Sequence, residues 1–244
     1  MCDHAANRVP ARLDDLGLAR GEPSRHIAWD IGALDIAKHL AKALDAPLIH
    51  SAYSRLVCDL NRYPFDDAAM SAHADGTVIP GNVNLTPAAR YRRMEEIFVP
   101  YHAAIAARLN DFQKVGVVPS LVSVHTCTER MNGQFRPWPI SLSYASDTRL
   151  SAPLIRDLRR RDVGPVGDNE PYSVDLGVDF TVCEHAMRRG LAYLQVEFRQ
   201  DLVATPETAE AWAERFLPSL CVALAEPDAR KRRVMEYPAF GLAG

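Results

Sequence analysis

Apolar residues recur at roughly helical spacing over 27–44, at Ile27, Ile31, Leu34, Ile36, Leu40 and Leu44, which predicts an amphipathic helix with its start near Ser24 or Arg25. Four shorter runs carry β-branched and aromatic residues instead: 46–50 (APLIH), 121–125 (LVSVH), 140–144 (ISLSY) and 191–198 (LAYLQVEF). These predict strands. Helical patterns fill 86–112, 151–161, 180–190 and 205–226. Thr86-Pro87 and Thr205-Pro206 read as an N-cap followed by a first-turn proline, and Gly190 as a helix-ending glycine. Strands alternating with helices predict an α/β fold class: a single domain over 1–244 with a largely parallel or mixed central sheet flanked by helices. Two Pro- and Gly-containing stretches, 63–85 and 162–177, are long for connectors and are expected to be functional loops. The segment 227–244 is expected to be a C-terminal tail with a solvated basic cluster.

Composition narrows the class of partner. The chain has 244 residues, 48% of them hydrophobic, which is enough apolar material for one sizeable core and excludes disorder as a global description. A net charge of −3 gives no electrostatic reason to expect nucleic acid or an anionic membrane, so a small solute or a protein remains. No apolar run approaches the roughly 20 residues of a membrane span, and the first ten residues lack the order of a secretory signal. A cytoplasmic location is the expectation. The five cysteines (Cys2, Cys58, Cys127, Cys183, Cys221) are dispersed without a C-x-x-C pair and are expected to be free thiols. The oligomeric state is not legible.

Ligands of open α/β sheets bind at the carboxyl ends of strands, where His125 and Glu197 stand. Metal-assisted hydrolysis needs this chemistry: imidazole nitrogen and carboxylate oxygen as ligands, and a separate carboxylate to take a proton from water. The candidates are His4, His26, Asp30, His73, Asp75, His102, His125, His185 and Glu197. His26 and Asp30, four apart, would share a helix face, and Asp30 also suits a first-turn carboxylate favoured by the helix dipole. His39, His50 and His102 read as structural or surface groups. Glu197 differs, because a carboxylate inside an apolar strand costs several kcal/mol unless it is paired or ligated.

Motifs along nearly the whole chain resemble the N-formylglutamate amidohydrolase family: CDHAANRVP (2–10), HIAWDIGA (26–33), YSRLVCDLNR (53–62), ADGTVIPGN (74–82), VSVHTCTERMNG (122–133), RPWPI (136–140), VGDNEPYS (166–173) and RGLAYLQVEFRQDLV (189–203). The resemblance implies a zinc-dependent amide hydrolase, with a fold similar to the zinc carboxypeptidases and peptidoglycan amidases. It implies His4, Asp30 and His125 as Zn²⁺ ligands, with His26 a competitor for Asp30, and Glu197 as the base that activates water. The implied substrate is a small N-acyl amino acid such as N-formylglutamate.

Its carboxylates would suit guanidinium groups, for which Arg55, Arg62, Arg136 and Arg199 are candidates. The competing expectation is ion pairing of arginine with Asp59 or Asp201. Asn132 and Asn169 are candidate neutral hydrogen-bond partners. Two departures from the family pattern stand out. An apolar strand precedes the DHA motif in relatives, whereas here His4 lies three residues after Met1, so either the start lies upstream or the metal site is weakened. Pro139 stands where the family carries histidine. Three other readings remain: a zinc amidase or peptidase acting on a peptide or cell-wall amide, a cysteine nucleophile at Cys58 or Cys127, and a non-catalytic scaffold that has lost its metal.

Overall fold

The computed structural model describes residues 1–233. Its centre is a four-stranded mixed sheet built from β1 (Leu121–Cys127), β2 (Ile140–Ser143), β3 (Val166–Asp168) and β4 (Tyr193–Arg199), in the order β1-β4-β2-β3. β1 and β4 run parallel, β4 and β2 antiparallel, and β2 and β3 parallel. Among the described residues six α-helices accompany it: α1 (Ala33–Ala43), α2 (Pro87–Arg93), α3 (Val99–Lys114), α4 (Ser151–Arg160), α5 (Thr181–His185) and α6 (Pro206–Ala225). The expected α/β class and mixed sheet are what the structure shows.

Alternation along β4 divides the molecule. Leu194, Val196 and Phe198 point into an apolar layer with Ile36 of α1, Leu154 of α4 and Phe216 of α6. Tyr193 joins the opposite layer, with Phe98, Ile105 and Leu109. Further along that second face, Gln195 and Glu197 are buried but polar. Both faces are covered, so the strands read as nearly continuous apolar runs, and the polar interruptions mark where the covering layer opens.

Several expectations shift in detail. The helix expected from Ile27 begins instead at Ala33. Gly32 has a left-handed φ of +82° and lies so close to Val203 that a Cβ there would stand 2.1 Å from its carbonyl oxygen. Residues 27–32 are therefore turns, a break that apolar spacing does not register. The helix over 86–112 is interrupted by a π-helical turn, Met94–Phe98. The strand expected at 46–50 reduces to one parallel bridge between Cys2 and His50. β3, with three residues, was too short to leave a periodic signal. The basic end is strapped to the body rather than simply solvated up to residue 233: Arg149 donates to Asp228 O and Lys231 O, and Arg233 N–H donates to Gly190 O. Residues 234–244 of the expected tail lie outside the described residues. Among the described residues no helix is long and apolar enough to cross a membrane.

Candidate functional site

The parallel register sets His125 beside Glu197 at the carboxyl ends of β1 and β4, with Ser141 of β2 next to Glu197. These side chains share the polar face of the sheet. Two further segments converge on it. The turn before α1 brings Asp30, whose N–H donates to His4 O at 2.9 Å, and the first residues bring His4 itself.

Both imidazoles aim one nitrogen at a single oxygen. His125 Nδ1 stands 2.9 Å and His4 Nδ1 3.3 Å from Asp30 Oδ2. Their other nitrogens are backed by carboxylates: His4 Nε2 lies 2.7 Å from Asp59 Oδ1, and His125 Nε2 lies 3.4 Å from Asp3 Oδ2 and 3.0 Å from Ser123 Oγ. Asp3 is held by Tyr101 Oη–H at 2.6 Å, and Asp59 by two N–H groups of Arg55 at 3.0 and 2.6 Å. When the rings are neutral with their protons on Nε2, each Nδ1 turns a lone pair toward a carboxylate oxygen; without a cation between them, the rings instead hold protons there. Acceptors facing one another in a buried place need a proton or a cation between them. His4, Asp30 and His125 are the buried group among the described residues whose spacing could hold a metal ion.

Electrostatics follow from burial and neighbours. Burial alone would raise the Asp30 carboxyl, but the His4 charge and hydrogen bonds from His125 and His4 hold it far below the usual carboxylate range. Burial opposes a charged His125, yet hydrogen bonds to Asp3 and Asp30 push its pKa well up. Glu197 goes the other way: burial, opposed by His125 and reinforced by Asp30, pushes it up to about 7. Its Oε2 is buried and has no hydrogen-bond partner among the described residues. The cluster opens into a cavity of about 430 Å³, whose walls include Arg62, Tyr172, Asp179 and Gln195.

A family model described as N-formylglutamate amidohydrolase matches residues 1–204. The chain belongs to the N-formylglutamate amidohydrolase family. The fold agrees with two crystal structures. Gene product Atu2144 from Agrobacterium tumefaciens is 32% identical with a TM-score of 0.88, over 92% of this chain and 88% of that one. The N-formylglutamate amidohydrolase from Ralstonia eutropha JMP134, at 22% identity and a TM-score of 0.64 over 91% of each chain, shares the fold. No curated protein matches the chain.

Within this family member the sequence candidates separate. The structure brings together His4, Asp30, His125 and Glu197, with Arg55 and Arg62 also on the cavity wall. His26 does not join them. Because 27–32 is not helical, it turns toward Asp75, 3.3 Å away. Arg62 donates to Asn61 O at 2.9 Å and lies 3.4 Å from Asp179 Oδ1. Arg136 stacks over Tyr172, 5.5 Å from its ring centre, outside the cavity wall. The ion pairs weighed for two arginines are present, Arg55 with Asp59 and Arg199 with Asp201, and Arg199 lies off the cavity against Phe135. Asn132 occupies an exposed hairpin turn with φ +50°, away from the cavity, and Asn169 Oδ1 accepts the Tyr144 N–H. Pro139 O accepts the Arg199 N–H.

Two expectations need correcting. His4 is not frayed: it is 2% exposed, and the residues before it are pinned by hydrogen bonds to Val122, Val124 and Ile49. The thiols weighed only as an unfavoured alternative nucleophile are buried, and burial pushes Cys58 and Cys127 each up to about 12, which leaves almost no thiolate at neutral pH. All five cysteines are free, as expected. Asp3, Asp59, Tyr101 and Gln195 were not singled out as site residues by the sequence. The signal for Asp3 and Asp59 lay inside the quoted motifs, as acidic neighbours of His4 and Arg55.

Proposed function

We propose that this chain hydrolyses the amide of an N-acyl amino acid, of which N-formylglutamate is the type, using a zinc ion held by His4 Nδ1, Asp30 and His125 Nδ1. The observation that carries the reading is the convergence of two carboxylate-backed imidazoles on one buried carboxylate oxygen, beside a glutamate with an unpartnered oxygen. Nitrogen and oxygen donors of this kind fit zinc, and three protein ligands suit a catalytic rather than a closed structural site. Bound there, zinc supplies Lewis acidity toward the acyl carbonyl and the attacking water.

The protein's own groups do the rest. Asp59 and Asp3 fix the orientation of the two rings and keep their Nδ1 lone pairs free. Glu197, with a pKa brought near neutrality by burial, accepts a proton from the attacking water and delivers it to the leaving nitrogen as the C–N bond breaks. The products are the free carboxylic acid and the free amino acid. Arg62, tied to the protein through only part of its guanidinium fork, holds a substrate carboxylate. Arg55, committed to Asp59 and 3.5 Å from Asp30 Oδ1, positions the carboxylates instead.

The test is release of formate from N-formylglutamate by the zinc-loaded protein, with N-acetyl and peptide amides in parallel. Turnover of N-formyl amino acids that disappears in Glu197→Gln, with folding unchanged, supports the reading. Preference for a peptide amide, or full activity in Glu197→Gln, overturns it.

A further inference from the structure

One buried amide joins two parts of the site that are far apart in the chain. Asp59 and Asn61 form an Asx turn, in which the Asn61 N–H donates to Asp59 Oδ1 at 2.9 Å. That same oxygen faces His4 Nε2. From this turn the Asn61 side chain, 3% exposed, reaches the segment 175–181. Its Nδ2 donates to Asp179 Oδ1 at 2.9 Å, and its Oδ1 accepts the Thr181 N–H at 2.9 Å. Its carbonyl accepts the Phe180 N–H at 3.3 Å and an Arg62 N–H at 2.9 Å.

The segment held in this way is cavity wall, since Asp175, Val178 and Asp179 all line the space beside His4 and Glu197. Within it, Asp179 Oδ2 accepts the Asp175 N–H at 2.9 Å, and the Asp179 N–H donates to Asp175 O at 2.7 Å. Arg62 Nη1 lies 3.4 Å from Asp179 Oδ1. Behind the wall the Phe180 ring packs against Phe98 and Tyr63, with centroids 4.9 and 5.3 Å apart. The wall is thus anchored by apolar contacts on one side and by Asn61 on the other. Its polar demands are specific: a side chain of this length must offer one donor to Asp179 and one acceptor to Thr181. A carboxylate lacks the donor and an aliphatic group lacks both, and either leaves a buried polar group short of a partner.

We propose that Asn61 is a positioning residue that locks the wall 175–181 to Asp59, and so keeps Arg62 and Asp179 at one fixed spacing from the His4 ring. The proposal rests on the roles given above to zinc and to Arg62. Asn61 acts through Asp59 and Asp179 and not on the substrate, because its amide oxygen and an amide N–H are already spent on the protein. A wall free to drift would carry the substrate carboxylate away from the reacting carbonyl's proper place, and a shift of about 1 Å is enough to cost about 100-fold in rate.

The test compares the native chain with Asn61→Asp, Asp179→Asn and the exchange Asn61→Asp/Asp179→Asn. It reads amide exchange over 175–181 in the metal-free protein, zinc affinity by chelator competition, and KM and kcat for N-formylglutamate. Asn61→Asp sets two carboxylates against each other. We expect it to speed exchange over 175–181 by about tenfold, to weaken zinc about tenfold through Asp59, and to lower kcat/KM by about 100-fold. The double variant keeps the net charge and swaps donor for acceptor, so all three readings should return to within about threefold of native. Unchanged exchange and zinc affinity in Asn61→Asp, with only KM raised, would make Asn61 a substrate contact and overturn the proposal. A double variant no better than Asn61→Asp overturns it too. If Asn61→Asp does not fold, Asp179→Asn decides: it leaves one oxygen for two donors, and unchanged exchange over 175–181 then refutes the lock. A native chain that binds zinc without hydrolysing N-formylglutamate would refute the substrate reading alone, because exchange and zinc affinity still test the lock.

Discussion

Asp59 fixes a ring and a guanidinium at once: its Oδ1 faces His4 Nε2 at 2.7 Å while Oδ2 receives two N–H groups from Arg55. Removing its charge while keeping its shape should leave the fold standing and loosen the ring. We therefore expect Asp59→Asn, and likewise Asp3→Asn, to lower zinc affinity by about 10- to 100-fold, measured by competition with a chromogenic chelator. Arg62→Ala should raise KM for an N-formyl dicarboxylic amino acid by about tenfold or more with a smaller change in kcat, because the contact it loses is present in ground and transition states alike. An unchanged KM would remove Arg62 from substrate binding. At this scale the sequence was legible where a residue contradicts its own element, as Glu197 does inside an apolar strand. It was not legible where a role comes from distant contacts. Nothing local joins Asp59 to His4, 55 residues away, or Tyr101 to Asp3, 98 residues away.

Between elements, what matters is register and where each one begins. The β1–β4 pairing sets His125 opposite Glu197, and a one-residue slip would turn one of them into the apolar layer. The delayed start of α1 matters as much, since it leaves Asp30 in a turn whose N–H reaches His4 O rather than on a helix face with His26. Gly32 enforces that start. Gly32→Ala should destabilise the protein by about 1–3 kcal/mol or more through its left-handed φ and the collision with Val203, and should weaken metal binding with it. Chemical denaturation and zinc titration of the same variant check both effects. Three of the four sheet strands and most helices were legible from apolar spacing, because packing on both faces demands it. The short β3, the π-turn at Met94–Phe98 and the start of α1 were not, since backbone geometry and tertiary contacts set them.

Across the whole molecule, a buried histidine pair ties stability to pH. His102 Nδ1 and His185 Nε2 lie 3.0 Å apart, and His102 Nε2 lies 3.0 Å from Leu60 O, one residue from Asp59. Burial, partly offset by Asp3, lowers His102 to about 4, and burial with the His102 charge lowers His185 to about 3. Above the unfolded value near 6.5 neither state is protonated and the pair has no pH-linked effect. As pH falls below it, the unfolded chain binds protons that the folded chain refuses. Stability should then drop between about pH 6.5 and 4 by at most about 1.4 kcal/mol per pH unit for each group. Urea titrations of the native chain and of His102→Gln/His185→Gln should show this slope flattened in the variant, and equal slopes would refute the linkage. The site and the fold are joined in the same way throughout, because the sheet that buries the apolar layer also delivers His125 and Glu197 to one crevice. That crevice as a metal centre is the central claim, and zinc content tests it most directly. Elemental analysis of the purified chain, Glu197→Gln and His125→Ala should find about one zinc per chain in the first two and little in the third. A folded native chain that takes up no zinc on addition, or a His125→Ala variant that keeps it, would contradict the account.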